Sequence, residues 1–132
     1  MSEMVLVDTA ERIRTISFNR PDKKNALTRA MYAAMAAALT DAENDPDIRV
    51  HVILGVPGAF CARNDIADFM VIATGGEGGT EVVDFMLALA TAKKPVVSGV
   101  DGVAVGIGTT MLMHCDYVVA ASNARLSTPF VA

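Results

Sequence analysis

Pro95-Val96-Val97-Ser98-Gly99-Val100-Asp101-Gly102-Val103-Ala104-Val105-Gly106-Ile107-Gly108-Thr109-Thr110 is the stretch on which the fold turns. Pro95–Val100 is short, apolar and rich in Val, which predicts a strand. Gly102, Gly106 and Gly108 then punctuate the chain, so Gly102–Gly108 reads as a turn region. Thr109–His114 follows as a buried helix turn, Asp116–Ala121 as another strand, and Leu126–Thr128 as the beginning of one more. A strand that ends in a glycine-rich loop and a helix start presents free N–H groups and the positive end of a helix dipole. The run contains Gly106-Ile107-Gly108 but no full G-x-G-x-x-G, and no acidic residue stands suitably after a following strand. A dinucleotide fold is therefore not expected. No G-x-x-x-x-G-K-[ST] occurs either.

The same arrangement appears earlier, in Gly58-Ala59-Phe60-Cys61-Ala62-Arg63-Asn64-Asp65-Ile66. Ala59–Ala62 reads as short and extended, and Asp65–Val71 as a short helix. One such loop is weak evidence, because most glycine-rich strand-to-helix turns are structural. Two helix starts facing each other would bind a single carbonyl oxygen as it becomes negative, which favours a transition state over a ground state.

The rest of the chain continues the alternation. Met4–Asp8 and Arg12–Phe18 read as strands joined at Thr9–Glu11. In the second, Arg12, Arg14, Thr15 and Ser17 alternate with or flank Ile13, Ile16 and Phe18. Asn19-Arg20-Pro21-Asp22 ends the run. Thr28 is placed to cap a helix from Arg29 to about Asn44, with Met31, Met35, Leu39 and Tyr32 on its apolar side. Asp45-Pro46-Asp47 stops it. Ile48–Leu54 reads as a strand, Gly55–Gly58 as a turn, Gly75–Gly79 as a mobile loop and Thr80–Ala92 as a helix. Strand–helix alternation predicts an α/β fold with parallel pairing and right-handed crossovers. No hydrophobic repeat of fixed length is present.

Hydrophobic residues make up 52% of the 132, enough for a packed core in one domain or part of one. With no Trp, that core is built from Ala, Val, Ile, Leu and Met. A net charge of −4, with basic residues only in small groups, excludes the basic stripe that nucleic acid requires. Cys61 and Cys115 lie in apolar stretches, read as buried free thiols, and have no metal-site spacing, so no metal is expected. The N-terminus has no basic n-region, and Gly102–Cys115 is too short and too glycine-rich to span a bilayer. The cytoplasm is the expected location. His51 and His114 show no partner, so structural roles are expected for both. Ser98, Ser122 and Ser127 lack a nucleophile-elbow context. Asp65 and Asp68 read as first-turn partners of a helix dipole.

Four segments in order match one family. Asn19-Arg20-Pro21-Asp22-Lys23-Lys24-Asn25-Ala26-Leu27 resembles the crotonase signature N-R-P-x-x-x-N-A-L. Phe60-Cys61-Ala62-Arg63-Asn64-Asp65-Ile66 resembles its F-[SC]-A-G-x-D-[IL] loop, with Arg63 in place of Gly. Pro95–Gly106 resembles its strand-turn K-P-V-I-A-x-[VI]-N-G-x-A-x-G, and Cys115–Ala121 its C-D-x-x-x-A strand. The resemblance implies a ββα superhelix, present here as an incomplete N-terminal portion forming a single region over residues 1–132. It ends before the helical segment that assembles family trimers or hexamers. It implies acyl-CoA thioester ligands, with coenzyme A as part of the substrate and no separate cofactor. It places oxyanion donors on the backbone N–H groups of Asn64 and Ile107. It puts Ala62, Asp65 and Ile66 beside the adenine, Ala26 and Leu27 near the CoA chain, and Lys23 or Lys24 at a CoA phosphate; a solvated turn is the other reading of the two lysines.

The two glutamates of a typical hydratase align with Thr110 and Phe130. Asn64-Asp65, Ala104-Val105-Gly106-Ile107 and Thr128-Pro129-Phe130 look more like the peroxisomal-type Δ3,Δ2-enoyl-CoA isomerase branch. That branch uses one glutamate several residues after the T-P-F segment, past Ala132. The expected function is double-bond isomerisation of an acyl-CoA. The alternatives are an enoyl-CoA hydratase and a non-catalytic module that binds acyl-CoA or a protein.

Overall fold

A computed structural model of the chain describes residues 3–68 and 79–130. The chain opens with an antiparallel hairpin, β1 (Val5–Ala10) and β2 (Ile13–Phe18). Its turn is Glu11-Arg12, both at positive φ (52° and 68°), the backbone of a two-residue hairpin loop whose twist matches the strands. The turn therefore sits later than the expected Thr9–Glu11, and β1 runs on to Ala10. β2 turns Arg14, Ile16 and Phe18 inward. Arg14 thus shares the buried face of the strand with Ile16 and Phe18. Its guanidinium is satisfied there, donating to Thr9 Oγ1 (3.0 Å), Ala38 O (2.8 Å) and Asp41 Oδ2 (2.9 Å).

Thr28 caps α1 (Arg29–Glu43), its hydroxyl accepting from Met31 N–H at 3.1 Å. Met31, Tyr32, Met35, Ala38, Leu39 and Ala42 form the buried side of that helix. After it come β3 (Val50–Leu54), β4 (Ala59–Cys61), α2 (Thr80–Ala90), β5 (Val96–Val100) and β6 (Val103–Val105). The chain continues through α3 (Ile107–Thr110), a 3-10 turn at Met111–His114, β7 (Tyr117–Ala120) and β8 (Arg125–Ser127). Residues 66–68 are helical; the remainder of the helix expected to Val71, and Gly75–Gly78 of the expected loop, fall outside the described residues.

Two sheets result. The larger runs in the order β1-β2-β3-β5-β7 and is parallel from β2 onward; the smaller, β4-β6-β8, is parallel throughout. Each turn of the chain gives one strand to the large sheet and the next to the small one, as in β3/β4, β5/β6 and β7/β8. A helix then follows before the next turn begins. The first turn has the same plan in reduced form, because Leu27, between β2 and α1, makes a parallel bridge to Asn64. This is a ββα superhelix, incomplete, as the resemblance implies. Gly102–Gly108 is not a turn throughout: its centre is β6, hydrogen-bonded to strands on both sides, and the helix begins at Ile107 rather than Thr109. Only Met111 and Leu112 of the following 3-10 turn are buried, while Met113 and His114 are exposed.

The core lies where α1 and α2 pack on one another and over the large sheet. Phe18 meets Phe60 edge-on at 5.3 Å, and Tyr32 meets Phe85 at 5.5 Å. No helix among the described residues is long and apolar enough to cross a membrane.

Candidate active site

β4 and β6 are neighbours in the small sheet and run the same way, Ala59 opposite Val103 and Cys61 opposite Ala104. Whatever follows their C-terminal ends is therefore brought to one place: Ala62 to Ile66 after β4, and Gly106 to Thr110 after β6. The glycines decide how closely these loops meet. A Cβ on Gly108 would lie 2.2 Å from Cys61 O and 2.9 Å from Cys61 Cβ, so α3 rests directly on the end of β4. Gly106, at φ 61° and ψ −119°, turns the chain from β6 into α3.

The first N–H groups of a helix have no intrahelical acceptor. Thr109 and Thr110 both donate to Gly106 O (2.9 and 3.0 Å), which closes the first turn of α3 and leaves the Ile107 N–H pointing out of it. Asn64 is left open in another way. Leu27 N–H donates to Arg63 O and Asp65 N–H to Leu27 O, both at 2.8 Å. In a parallel bridge those bonds use the groups flanking Asn64 and turn its own N–H to the other edge. That is the edge along which β4 pairs with β6. No acceptor among the described residues takes the N–H of either Asn64 or Ile107. Arg63 is not among the residues at positive φ, so a side chain fits where the family pattern has glycine.

The other expected residues gather on the far edge of the same loop. Lys23 ends the 3-10 turn Pro21–Lys23, and Lys24 follows at φ 50°; both side chains are exposed. Lys24 O accepts from Ala62 N–H at 3.0 Å, tying the lysine turn to the loop. Ala26 and Leu27 are buried, and both backbone polar groups of Leu27 are used inside the fold, so these two shape the wall from within. Asp65 accepts from Asp68 N–H (2.8 Å) and pairs with Arg20 (2.7 Å), capping the helical residues 66–68. The Asp68 N–H and then the Arg20 guanidinium hold its carboxyl below the usual carboxylate range. Ile66 is exposed beside it.

Two residues that the motif contains but that reasoning from the residues alone passed over do most of the assembly. Asn25, fully buried at φ 60°, accepts from Arg20 N–H (2.7 Å) and donates to Ala59 O (3.0 Å) and Phe60 O (3.1 Å). Arg20 donates to Ala26 O (2.9 Å) as well as to Asp65. The available signal was Asn itself, a residue that tolerates the left-handed region and carries both a donor and an acceptor.

The thiols are not poised for nucleophilic work. Burial pushes Cys61 up to about 12, and Cys115 is also raised by burial. Both are free. Thr110 is half-buried on α3, and the ring of Phe130 stands 3.7 Å from where a Cβ on Gly106 would lie. Neither position offers a carboxylate. His51, expected to lack a partner, has one: its Nε2 is 2.7 Å from Glu43 Oε2. This pair lies at the C-terminal end of α1 and takes no part in the loops after β4 and β6.

The profile of the family described as Enoyl-CoA hydratase/isomerase matches residues 8–132. The chain belongs to the enoyl-CoA hydratase/isomerase family. It is 36% identical to Enoyl-CoA delta isomerase 2 of Rattus norvegicus over 98% of this chain and 34% of the relative. It is 34% identical to the Mycobacterium bovis protein named Probable enoyl-CoA hydratase echA8, over 96% of this chain and 49% of the relative. Among solved structures it is similar to Pseudomonas aeruginosa OdaA, with a TM-score of 0.90 at 46% identity, covering 98% of this chain and 52% of that one. The chain spans about half the length of most curated relatives it matches. Relatives with isomerase names and relatives with hydratase names both occur, so membership of this enzyme family does not choose between the two reactions.

Proposed function

We propose that this chain supplies the oxyanion-binding half of an acyl-CoA site and that the protein moves a double bond along the acyl chain. The observation that carries the proposal is the pair of N–H groups, Asn64 and Ile107, left without acceptors among the described residues, after adjacent parallel strands. Aimed at one thioester oxygen, they would stabilise it most when an enolate forms. A base removes a proton from Cα of a 3-enoyl thioester, and the electron pair delocalises onto the thioester oxygen held by the two amides. The dienolate is then reprotonated at Cγ, giving the 2-enoyl thioester. In the branch that the sequence resembles, the base is a glutamate beyond the T-P-F segment.

Isomerisation is preferred to hydration because of Thr110 and Phe130. Adding water to a 2-enoyl thioester calls for groups that orient and deprotonate that water. A threonine hydroxyl and a phenyl ring stand at the two positions concerned, and the ring covers Gly106 beside the Ile107 donor. The lysine turn and the Ala62–Ile66 loop form the rim proposed to meet the CoA moiety, with Lys23 or Lys24 at a phosphate. The test is an assay of the intact protein on matched 3-enoyl-CoA and 2-enoyl-CoA esters. Faster isomerisation of the first is expected. Faster hydration of the second would replace the isomerase by a hydratase, and tight CoA-ester binding without turnover of either would make it a binding module.

A further inference from the structure

Tyr32 stands on α1, 1% exposed, its ring packed on Phe85, and its hydroxyl donates to Asn64 Oδ1. We propose that Tyr32 is a positioning residue for the Asn64 donor: it acts on the reaction by holding the Asn64 side chain, and through it the peptide whose N–H faces the ligand. This inference rests on the oxyanion reading given above.

Three tethers converge on Asn64. Two are the bonds to Leu27 N–H and O from the residues on either side of it. They fix the two peptide planes that flank the Asn64 Cα, the one carrying the Asn64 N–H included, but leave its side chain unheld. The third is the Tyr32 hydroxyl on its side chain. The loop needs this tether because Arg63 is exposed and Ile66 is exposed, so little packing from either neighbour holds residue 64 in place. Leu27, Tyr32, Asn64, Asp65 and Val82 line a narrow crevice beside that hydroxyl. The hydroxyl also stays protonated. Burial, and then the neighbouring Cys61, hold the Tyr32 hydroxyl protonated far above its usual range. It therefore keeps the proton that it donates to Asn64 Oδ1.

Tyr32 is buried and its hydroxyl is taken up by Asn64 Oδ1, so its removal changes geometry rather than chemistry. An oxyanion donor displaced by a fraction of an ångström weakens the transition state more than the bound substrate. The test is a double-mutant cycle in the intact protein, Tyr32→Phe, Asn64→Ala and both, read for kcat and KM on a 3-enoyl-CoA. Amide hydrogen exchange at Leu27 and Asp65 is read alongside, since those N–H groups make the bridge between Leu27 and the residues on either side of Asn64. Tyr32→Phe is expected to lower kcat about tenfold with KM within about twofold, and to add nothing in the Asn64→Ala background. Exchange at Leu27 and Asp65 should quicken while amides of α1 and β5 stay as they were. An equal fall of kcat in both backgrounds, or no fall in either, overturns the inference. Should the unaltered protein not turn over 3-enoyl-CoA, the isomerase reading fails by itself. Exchange then decides: local quickening upholds the tether, and unchanged exchange at both amides overturns it.

Discussion

Ile107 occupies the first position of α3, the place in a helix where a proline ring removes no intrahelical bond. Ile107→Pro therefore deletes one proposed oxyanion donor while sparing the helix. It should cut kcat by about 10²–10³ with a near-normal melting temperature. Asn64→Ala keeps its N–H and should cost less, about tenfold, through the lost tether to Tyr32. Steady-state kinetics on a 3-enoyl-CoA, with a thermal melt of each variant, measures both; equal losses would mean that the Asn64 side chain itself contacts the ligand. At this scale the sequence was legible where a residue's role is local. Thr28 as a cap and Asp65 as the head of a helix follow from residue type and spacing. Arg14, Asn25 and His51 did not, because their partners are 24, 34 and 8 positions away in Ala38, Ala59 and Glu43. Propensity carries no information about such distant pairings. Glu11-Arg12 escaped for a different reason: two positive-φ residues without glycine or asparagine give no turn signal.

Among the elements, α3 and β4 carry the site, and the contact between them is backbone on backbone. Gly108→Ala places a methyl into Cys61 O, and no side chain there can swing aside. The helix must lift, taking the Ile107 N–H with it. The expected result is a stability loss of about 1–3 kcal/mol and a fall in kcat of tenfold or more, roughly what an ångström of misplacement costs. Denaturant unfolding and kinetics check it; full activity would show that α3 position does not matter. A second link between elements is electrostatic. Burial alone would raise the Glu43 pKa, but the N–H of Lys93, the His51 ring and the N–H of Lys94 outweigh it and the value is lowered. A carboxyl whose folded pKa is depressed adds stability that is complete above its unfolded value of 4.5 and is lost as pH falls through the lower folded value. Glu43→Gln should therefore narrow the stability difference between pH 7 and pH 3, measured by urea midpoints, whereas an unchanged difference would remove Glu43 from the acid sensitivity. Element type and order were readable from strand–helix alternation. The strand at Val103–Val105 was not, since flanking glycines mask three residues whose ladder bonds come from β4 and β8, both distant in sequence.

For the whole molecule, the superhelical plan leaves its latest strands uncovered. Tyr117, Val118, Val119, Leu126 and Phe130 are exposed, and β7 and β8 are each the last strand of their sheet. Apolar open edges pair readily with other chains. The 132 residues expressed alone are predicted to self-associate at micromolar concentration, with Val119→Lys reducing it; sedimentation velocity showing a monomer for the unaltered chain would contradict this. The strand-by-strand parallel order also explains why three of the four family segments, far apart in sequence, come together: β4 and β6 end side by side, and the Asn19–Leu27 turn closes the outer edge. The most direct measurement is a crystal structure of the intact protein with a non-reactive acyl-CoA analogue. The account predicts the thioester oxygen within about 2.7–3.1 Å of both the Asn64 and Ile107 nitrogens; an analogue bound with that oxygen away from either amide would contradict it.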